Sequence, residues 1–289
     1  MSAQDWIVAA GAFALGACLG SFLNVVAYRL PRGLSFVTPR SACPTCGEPI
    51  AARDNIPLWS FVRLLGRCRW CGQPIPWRYV GVEALMGVLT AAAAFQHLRP
   101  PGLDGALAAA AVTVFVGGLL VVALVDLERH IIPDQLSKPG ILAGAIASAL
   151  APGLHPAFLH VTGIPALDAT LDALAGALAA AGALWAVARA AAVVFRQEAL
   201  GLGDVKLVAA MGAFLGLVGV GLAALAAVLL GTVIGIVVLV VRRSRYLPFG
   251  PFLAAGGILV ALWPRAMLAA LAWWSAFVAG LLDGTGANG

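Results

Sequence analysis

The chain has 289 residues, of which 62% are hydrophobic and only 11% charged, and its mean hydropathy is +0.97. A water-soluble domain is about half apolar and about a quarter charged. This chain has too little polar surface to face water on all sides, so a soluble class is excluded. Its net charge of +5 is therefore read by position along a membrane protein, with lipids as neighbours and no nucleic-acid partner.

The apolar runs are long and rich in Ala, Leu and Val, which makes the spans helices rather than the alternating strands of a barrel. Met1–Asp5 lacks the basic start of a cleavable signal, so the first run is expected to be retained. That run, Trp6–Tyr28, ends at Arg29-Leu30-Pro31-Arg32. Gly16, Gly20, Ser21 and Asn24 in its second half suit close helix contact or the wall of a site. Cys18, alone in the run, is read as a packing residue. Arg29–Tyr79 has no spanning run, is rich in Pro, Arg and Cys, and reads as a small aqueous domain. Further spans follow at about Val80–His97, Ala106–Val125, Leu136–Leu150, Leu167–Val194, Val205–Val220, Gly221–Val241 and Gly250–Leu282. The last exceeds one straight span of ~20 residues, with a break expected at Trp263-Pro264-Arg265. The expected fold is thus an all-α polytopic membrane protein of about eight transmembrane helices. Its parts are a first helix (1–28), an inserted Cys-rich domain (29–79) and a membrane-embedded remainder (80–289).

Basic residues set the orientation. Arg29, Arg32, Arg40, Arg53, Arg63, Arg67, Arg69 and Arg78 lie in the first loop. Alternating sides puts Arg129, Lys138, Arg196, Arg242, Arg243 and Arg245 on the same side, with Arg99 and Arg265 opposite. The positive-inside rule makes the Cys-rich domain cytoplasmic and the N-terminus external. The same threading brings Asp126, at the end of the third span, and Asp204, at the start of the sixth, to one membrane face. His155 and His160 fall in an external loop, where they need no ligand role.

Two motifs carry chemistry. Cys43-Pro44-Thr45-Cys46-Gly47 and Cys68-Arg69-Trp70-Cys71-Gly72 each bring two thiols into one turn. The glycine after each second cysteine supplies the positive φ such a turn needs. In a reducing compartment, four cysteines in this pattern favour a structural, tetrahedral Zn²⁺ over disulfides or a redox role. The second motif is Gly201-Leu202-Gly203-Asp204-Val205-Lys206. An acid at membrane depth is costly and points to function. The glycines let another backbone, a helix or an extended substrate, approach the carboxylate. Asp204 alone is equally well a helix N-cap. Paired with Asp126, it forms a proton-sharing dyad. One acid would act as base on a water while the other polarises a carbonyl, hydrolysing an amide without metal. Lys206 would point elsewhere from a helix, to headgroups or to substrate. Glu128, Arg129, His130 and Asp134 read as solvated loop charges, with Pro133-Asp134 opening the next helix.

Taken together, the chain resembles the bacterial type IV prepilin peptidases, membrane aspartyl proteases of the GxGD type. The resemblance rests on five elements in order. They are Gly20-Ser21-Phe22-Leu23-Asn24-Val25-Val26 with Tyr28-Arg29-Leu30-Pro31, the paired CxxC domain, Asp126 through Pro133-Asp134, Gly201–Lys206, and Leu247-Pro248-Phe249-Gly250-Pro251-Phe252. It implies an inner-membrane peptidase that cuts the leader from prepilins or pseudopilins at the cytoplasmic face, with Asp126 and Asp204 catalytic and Gly201, Gly203 and Lys206 in support. Glu128 stands where many members have a second acid, which favours Asp126 as the reacting one. The resemblance also implies N-methylation of the new N-terminus with S-adenosylmethionine, for which no fingerprint is recognisable. Two other classes are compatible with the residues. One is a transporter using Asp126 and Asp204 for proton coupling, although coupled sites tend to lie nearer the midplane. The other is a zinc-anchored scaffold without chemistry.

Overall fold

The computed structural model describes residues 2–98, 102–155, 161–196, 201–242 and 248–284. His160, Arg99, Arg243, Arg245 and Leu247, singled out above, lie outside them. The described residues form nine α-helices: α1 Ala3–Arg29, α2 Trp59–Arg63, α3 Trp77–His97, α4 Leu103–Arg129, α5 Asp134–Leu150, α6 Pro165–Phe195, α7 Leu202–Arg242, α8 Gly250–Leu262 and α9 Pro264–Gly284. No strand is present among them, only two isolated bridges, Ala42–Pro49 and Arg67–Pro74. The all-helical membrane fold expected from composition is observed.

Helix pairs meet where the sequence is small. Gly16 and Gly20 of α1 lie one turn apart against the backbone of α3. A Cβ on Gly16 would come within 2.6 Å of Met86 O and Thr90 Oγ1, and one on Gly20 within 2.8 Å of Glu83 Cα. This is the small-xxx-small packing that substitutes in lipid for a hydrophobic drive. Asn24, fully buried on the same face, donates from Nδ2 to Gly20 O and Tyr79 O at 3.2 Å. Cys18 is exposed, so it faces the surroundings of the bundle rather than a protein neighbour. Leu89, Phe115, Leu119, Met211, Phe214 and Leu253 are among the core residues contributed by α3, α4, α7 and α8. Phe115 and Phe214 stack at 4.7 Å. Outward-facing Leu178, Val193, Val228 and Val240 are exposed, as lipid contact requires.

Among the described residues, five helices are long and apolar enough to cross a membrane, and α8 with α9, bent by 102°, makes a sixth candidate. The bend falls at Trp263-Pro264, where the sequence predicts it. α7 cannot cross as one straight rod, because 41 residues at about 1.5 Å each reach twice the ~30 Å hydrocarbon core. It breaks at Gly216 (φ 70°, ψ −178°), a left-handed φ that favours glycine. Before the break α7 runs alongside α5, Ala210 beside Gly140 and Ala213 beside Gly144. After it, Ala223 lies beside Gly256 and Gly231 beside Phe252, opposite to the direction of α8. The two halves therefore run in opposite senses, as the two spans predicted over 205–220 and 221–241 require. The turn comes about four residues earlier, because Gly216 rather than Gly221 has the unusual dihedrals.

Candidate active site

Asp126 is buried in the last turns of α4. That helix ends at His130, whose left-handed φ of 55° and amide bond to Asp126 O close it. A short connection through Pro133 leads to α5. The Asp126 carboxylate accepts a hydrogen bond through Oδ2 from the backbone amide of Gly250, at 3.0 Å. Gly250 opens α8, and a Cβ there would lie 2.5 Å from Asp126 Oδ2. Only a residue without a side chain lets this amide reach the acid. The Pro248-Phe249-Gly250-Pro251 element is thus explained as a backbone donor for Asp126, a role that motif spacing does not reveal.

Asp204 sits in the first turn of α7, partly buried. The acids, 78 positions apart, lie at the same end of the bundle, the one that bears the Cys-rich domain, because Gly203 and Lys206 of α7 sit against Ile132 and Asp134 just past the end of α4. The glycines beside Asp204 differ in surroundings. A Cβ on Gly203 would meet Ile132 Cβ at 3.0 Å, so its missing side chain admits the α4–α5 connection. Among the described residues, the nearest atoms to a Cβ on Gly201 would be Asp204 Oδ2 and Gly203 N, both at 3.8 Å. Lys206 Nζ reaches Asp134 Oδ1 and Oδ2 at 2.7 and 2.9 Å, and Lys138 pairs with the same acid at 2.8 Å. Asp134 and Lys206 are therefore partners across the α5 and α7 starts rather than separate solvated charges. Glu128, two positions after Asp126, pairs with Arg78 of α3.

The four cysteines of the inserted domain form one cluster, with every pair of sulfurs within 4.8 Å and Cys43 Sγ 3.8 Å from Cys71 Sγ. Tetrahedral zinc with ~2.3 Å Zn–S bonds places its sulfurs about 3.8 Å apart, so the cluster fits a zinc-binding domain. Both halves fold alike. Cys43 and Cys68 donate their amides to Glu48 O and Gln73 O, while Gly47 and Gly72 donate back to Cys43 O and Cys68 O. Gly47 (φ 75°) and Gly72 (φ 69°) take the left-handed conformation expected after each second cysteine. The amides of Cys46 and Thr45 pull the Cys43 thiol down to about 6, while burial and the neighbouring sulfurs push Cys46 up to about 12, so the four sulfurs hold their protons unevenly. The Arg69 guanidinium, hydrogen-bonded to Asp54, holds that carboxyl below the usual range. Glu83 of α3 ties the domain to the bundle by accepting the Leu58 amide at 2.8 Å.

The far end holds a site the sequence does not suggest. His155 is not a free loop residue: its side chain is wholly buried between Ser148 and Asp172. Gly216 lies against it, since a Cβ there would come within 2.6 Å of His155 Nδ1.

Comparison with known proteins agrees with this architecture. Residues 14–97 match the Bacterial Peptidase A24 N-terminal domain, and residues 113–236 match the Type IV leader peptidase family. A prepilin leader peptidase/N-methyltransferase of Aeromonas hydrophila is 34% identical over 89% of this chain and 91% of its own length. Proteins of the same description from Myxococcus xanthus and Pseudomonas aeruginosa are 43% and 34% identical. The first match covers 78% of this chain and 62% of that protein, the second 86% and 88%. No solved structure matches. The chain belongs to the type IV leader peptidase family, and it is a multi-pass inner-membrane peptidase. Nothing in these matches supports the transporter reading.

Proposed function

We propose that the protein removes the leader from type IV prepilins or pseudopilins at the cytoplasmic membrane face, with Asp126 and Asp204 as the reacting pair. The observation that carries this reading is the placement of two acids from distant helices at the one end of the bundle that bears the Cys-rich domain. The relatives' descriptions as prepilin leader peptidases supply the substrate class. Two neighbouring carboxylates hold one proton between them. The ionised member takes a proton from water as the water attacks the scissile carbonyl, and the protonated member hydrogen-bonds the carbonyl oxygen. The tetrahedral intermediate then collapses as a proton passes to the leaving amine, so no covalent enzyme intermediate or metal is needed. Asp126 Oδ2 is engaged by the Gly250 amide, which holds the carboxylate in place for its work on the water. Gly201, without a side chain beside Asp204 Oδ2, suits the approach of an extended substrate backbone. Gly203 and Lys206 support the site from within, through Ile132 and Asp134. This orientation puts the N-terminus in the periplasm, following the arginine-rich inserted domain.

The four cysteines would hold Zn²⁺ as a closed structural site, which supplies folding energy to the 29–79 domain and no hydrolysis. The relatives' N-methyltransferase descriptions support a second activity on the newly exposed amine, with S-adenosylmethionine as methyl donor.

The test is co-expression with a prepilin. Asp126→Asn and Asp204→Asn are each expected to insert normally and leave the leader uncut. Wild-type processing by either variant would reject the pair.

A further inference from the structure

At the break in α7 two backbone groups lose their helical partners. In an unbroken helix the Leu217 amide would bond to Ala213 O, but Gly216, with φ 70° and ψ −178°, turns it away. Both groups are recovered by side chains. Asp172 Oδ1 accepts the Leu217 amide at 3.4 Å, and Ala213 O lies 3.0 Å from Ser148 Oγ. His155 joins the two, with Nδ1 2.6 Å from Asp172 Oδ2 and Nε2 2.8 Å from Ser148 Oγ. The missing helix bond is thus replaced by a chain from α7 through α6, the α5–α6 connection and α5 back to α7. Its three side chains are almost wholly buried. A Cβ on Gly216 would fall onto Asp172 Oδ2 and His155 Nδ1, so the break and the clasp require each other.

The protons are linked through Ser148. A serine hydroxyl has one proton, and Gly144 O lies 2.9 Å from Ser148 Oγ beside Ala213 O at 3.0 Å. With that proton on either carbonyl, Ser148 Oγ accepts from His155, which places a proton on Nε2. One further proton then lies between Nδ1 and Asp172 Oδ2, and the pair carries no net charge. That is the arrangement a dry interior favours over an isolated carboxylate.

We propose that Ser148, His155 and Asp172 are positioning residues for Asp204. By capping both sides of the Gly216 break they fix where the chain turns back, and so the direction in which residues 202–215 present Asp204 to Asp126. This rests on the reading of those acids as the reacting pair. A fully buried network at a helix corner, remote from the reaction, has this as its mechanical consequence: the first half of α7 is a rod with the clasp at one end and Asp204 at the other.

The test uses full-length enzyme in lipid nanodiscs with a prepilin substrate. Asp172→Asn keeps both bonds, since its amide oxygen accepts from Leu217 and its amide nitrogen donates to Nδ1. It is expected to retain kcat within about threefold. Asp172→Leu breaks both bonds. It is expected to speed hydrogen exchange at the Leu217 amide at least about tenfold and to lower kcat by about 10²-fold, with KM within about twofold. Should the Leu variant not fold, Ser148→Ala removes the hydroxyl that meets Ala213 O and His155 Nε2 and is expected to move kcat and exchange in the same direction. Faster exchange with an unchanged kcat would overturn the proposal, as would unchanged exchange or an Asn variant that fails like Leu. Asp204→Asn is measured alongside. Its activity judges the reacting pair, so a dead Asp204→Asn with a fully active Asp172→Leu rejects only the positioning role.

Discussion

Asp126 is held from behind by a backbone amide, and the residue that supplies the amide has no room for a side chain. Gly250→Ala is therefore a sensitive probe. Its methyl must displace the carboxylate it would meet at 2.5 Å, and a displacement of about 1 Å at a reacting group costs about 10²-fold in rate. A kcat for leader cleavage near wild type in Gly250→Ala would show that the amide contact is not needed. At this scale the sequence marks Asp126, Asp204 and the four cysteines well, because an acid in an apolar run and paired CxxC turns are rare patterns. It marks Gly250 only as part of a resemblance, since a backbone donor leaves no chemical signature. Lys206 could not be placed from spacing. Its partner Asp134 lies 72 positions away and meets it only because α5 and α7 start side by side.

Helix contacts in this bundle are made by small residues, and that was readable in α1, where Gly16 and Gly20 repeat at one-turn spacing. Gly16→Leu would force bulk against Met86 O and Thr90 and is expected to destabilise the α1–α3 pair by about 1–3 kcal/mol. A drop in the thermal midpoint of detergent-purified protein reports it, and an unchanged midpoint argues against close packing there. The inserted domain makes a separate prediction. Purified protein should carry about one equivalent of zinc. Cys43→Ser should lose the metal and open the domain to protease, while a stable, metal-free wild type would remove zinc from the account. The break at Trp263-Pro264 was legible because proline cannot continue a helix. The corner at Gly216 was not, because the chain is rich in glycine and nothing local tells one from another. Its identity depends on Asp172 and His155 arriving from other elements.

For the whole molecule, topology does most of the work. Because α7 doubles back, Asp204 and the end of α7 near Arg242 are expected on the same side of the membrane as the Cys-rich domain. A fluorescent protein fused after Arg242 should fluoresce, and alkaline phosphatase fused there should be inactive. The reverse pair of results would mean that α7 crosses without turning. That both acids belong at one end of the bundle was readable from run lengths and arginines alone. The distance between them was not readable, because it is set by the packing of α4 against α8 and of α7 against α5 and α6. The central claim is that Asp126 and Asp204 act as one unit, and the rate of prepilin cleavage by purified Asp126→Asn, Asp204→Asn and the double variant tests it most directly. Residues that act together lose nearly everything singly, so all three variants should share one background rate, about 10³-fold or more below wild type. Near-wild-type cleavage by either single variant, or partial losses that multiply in the double, would contradict it.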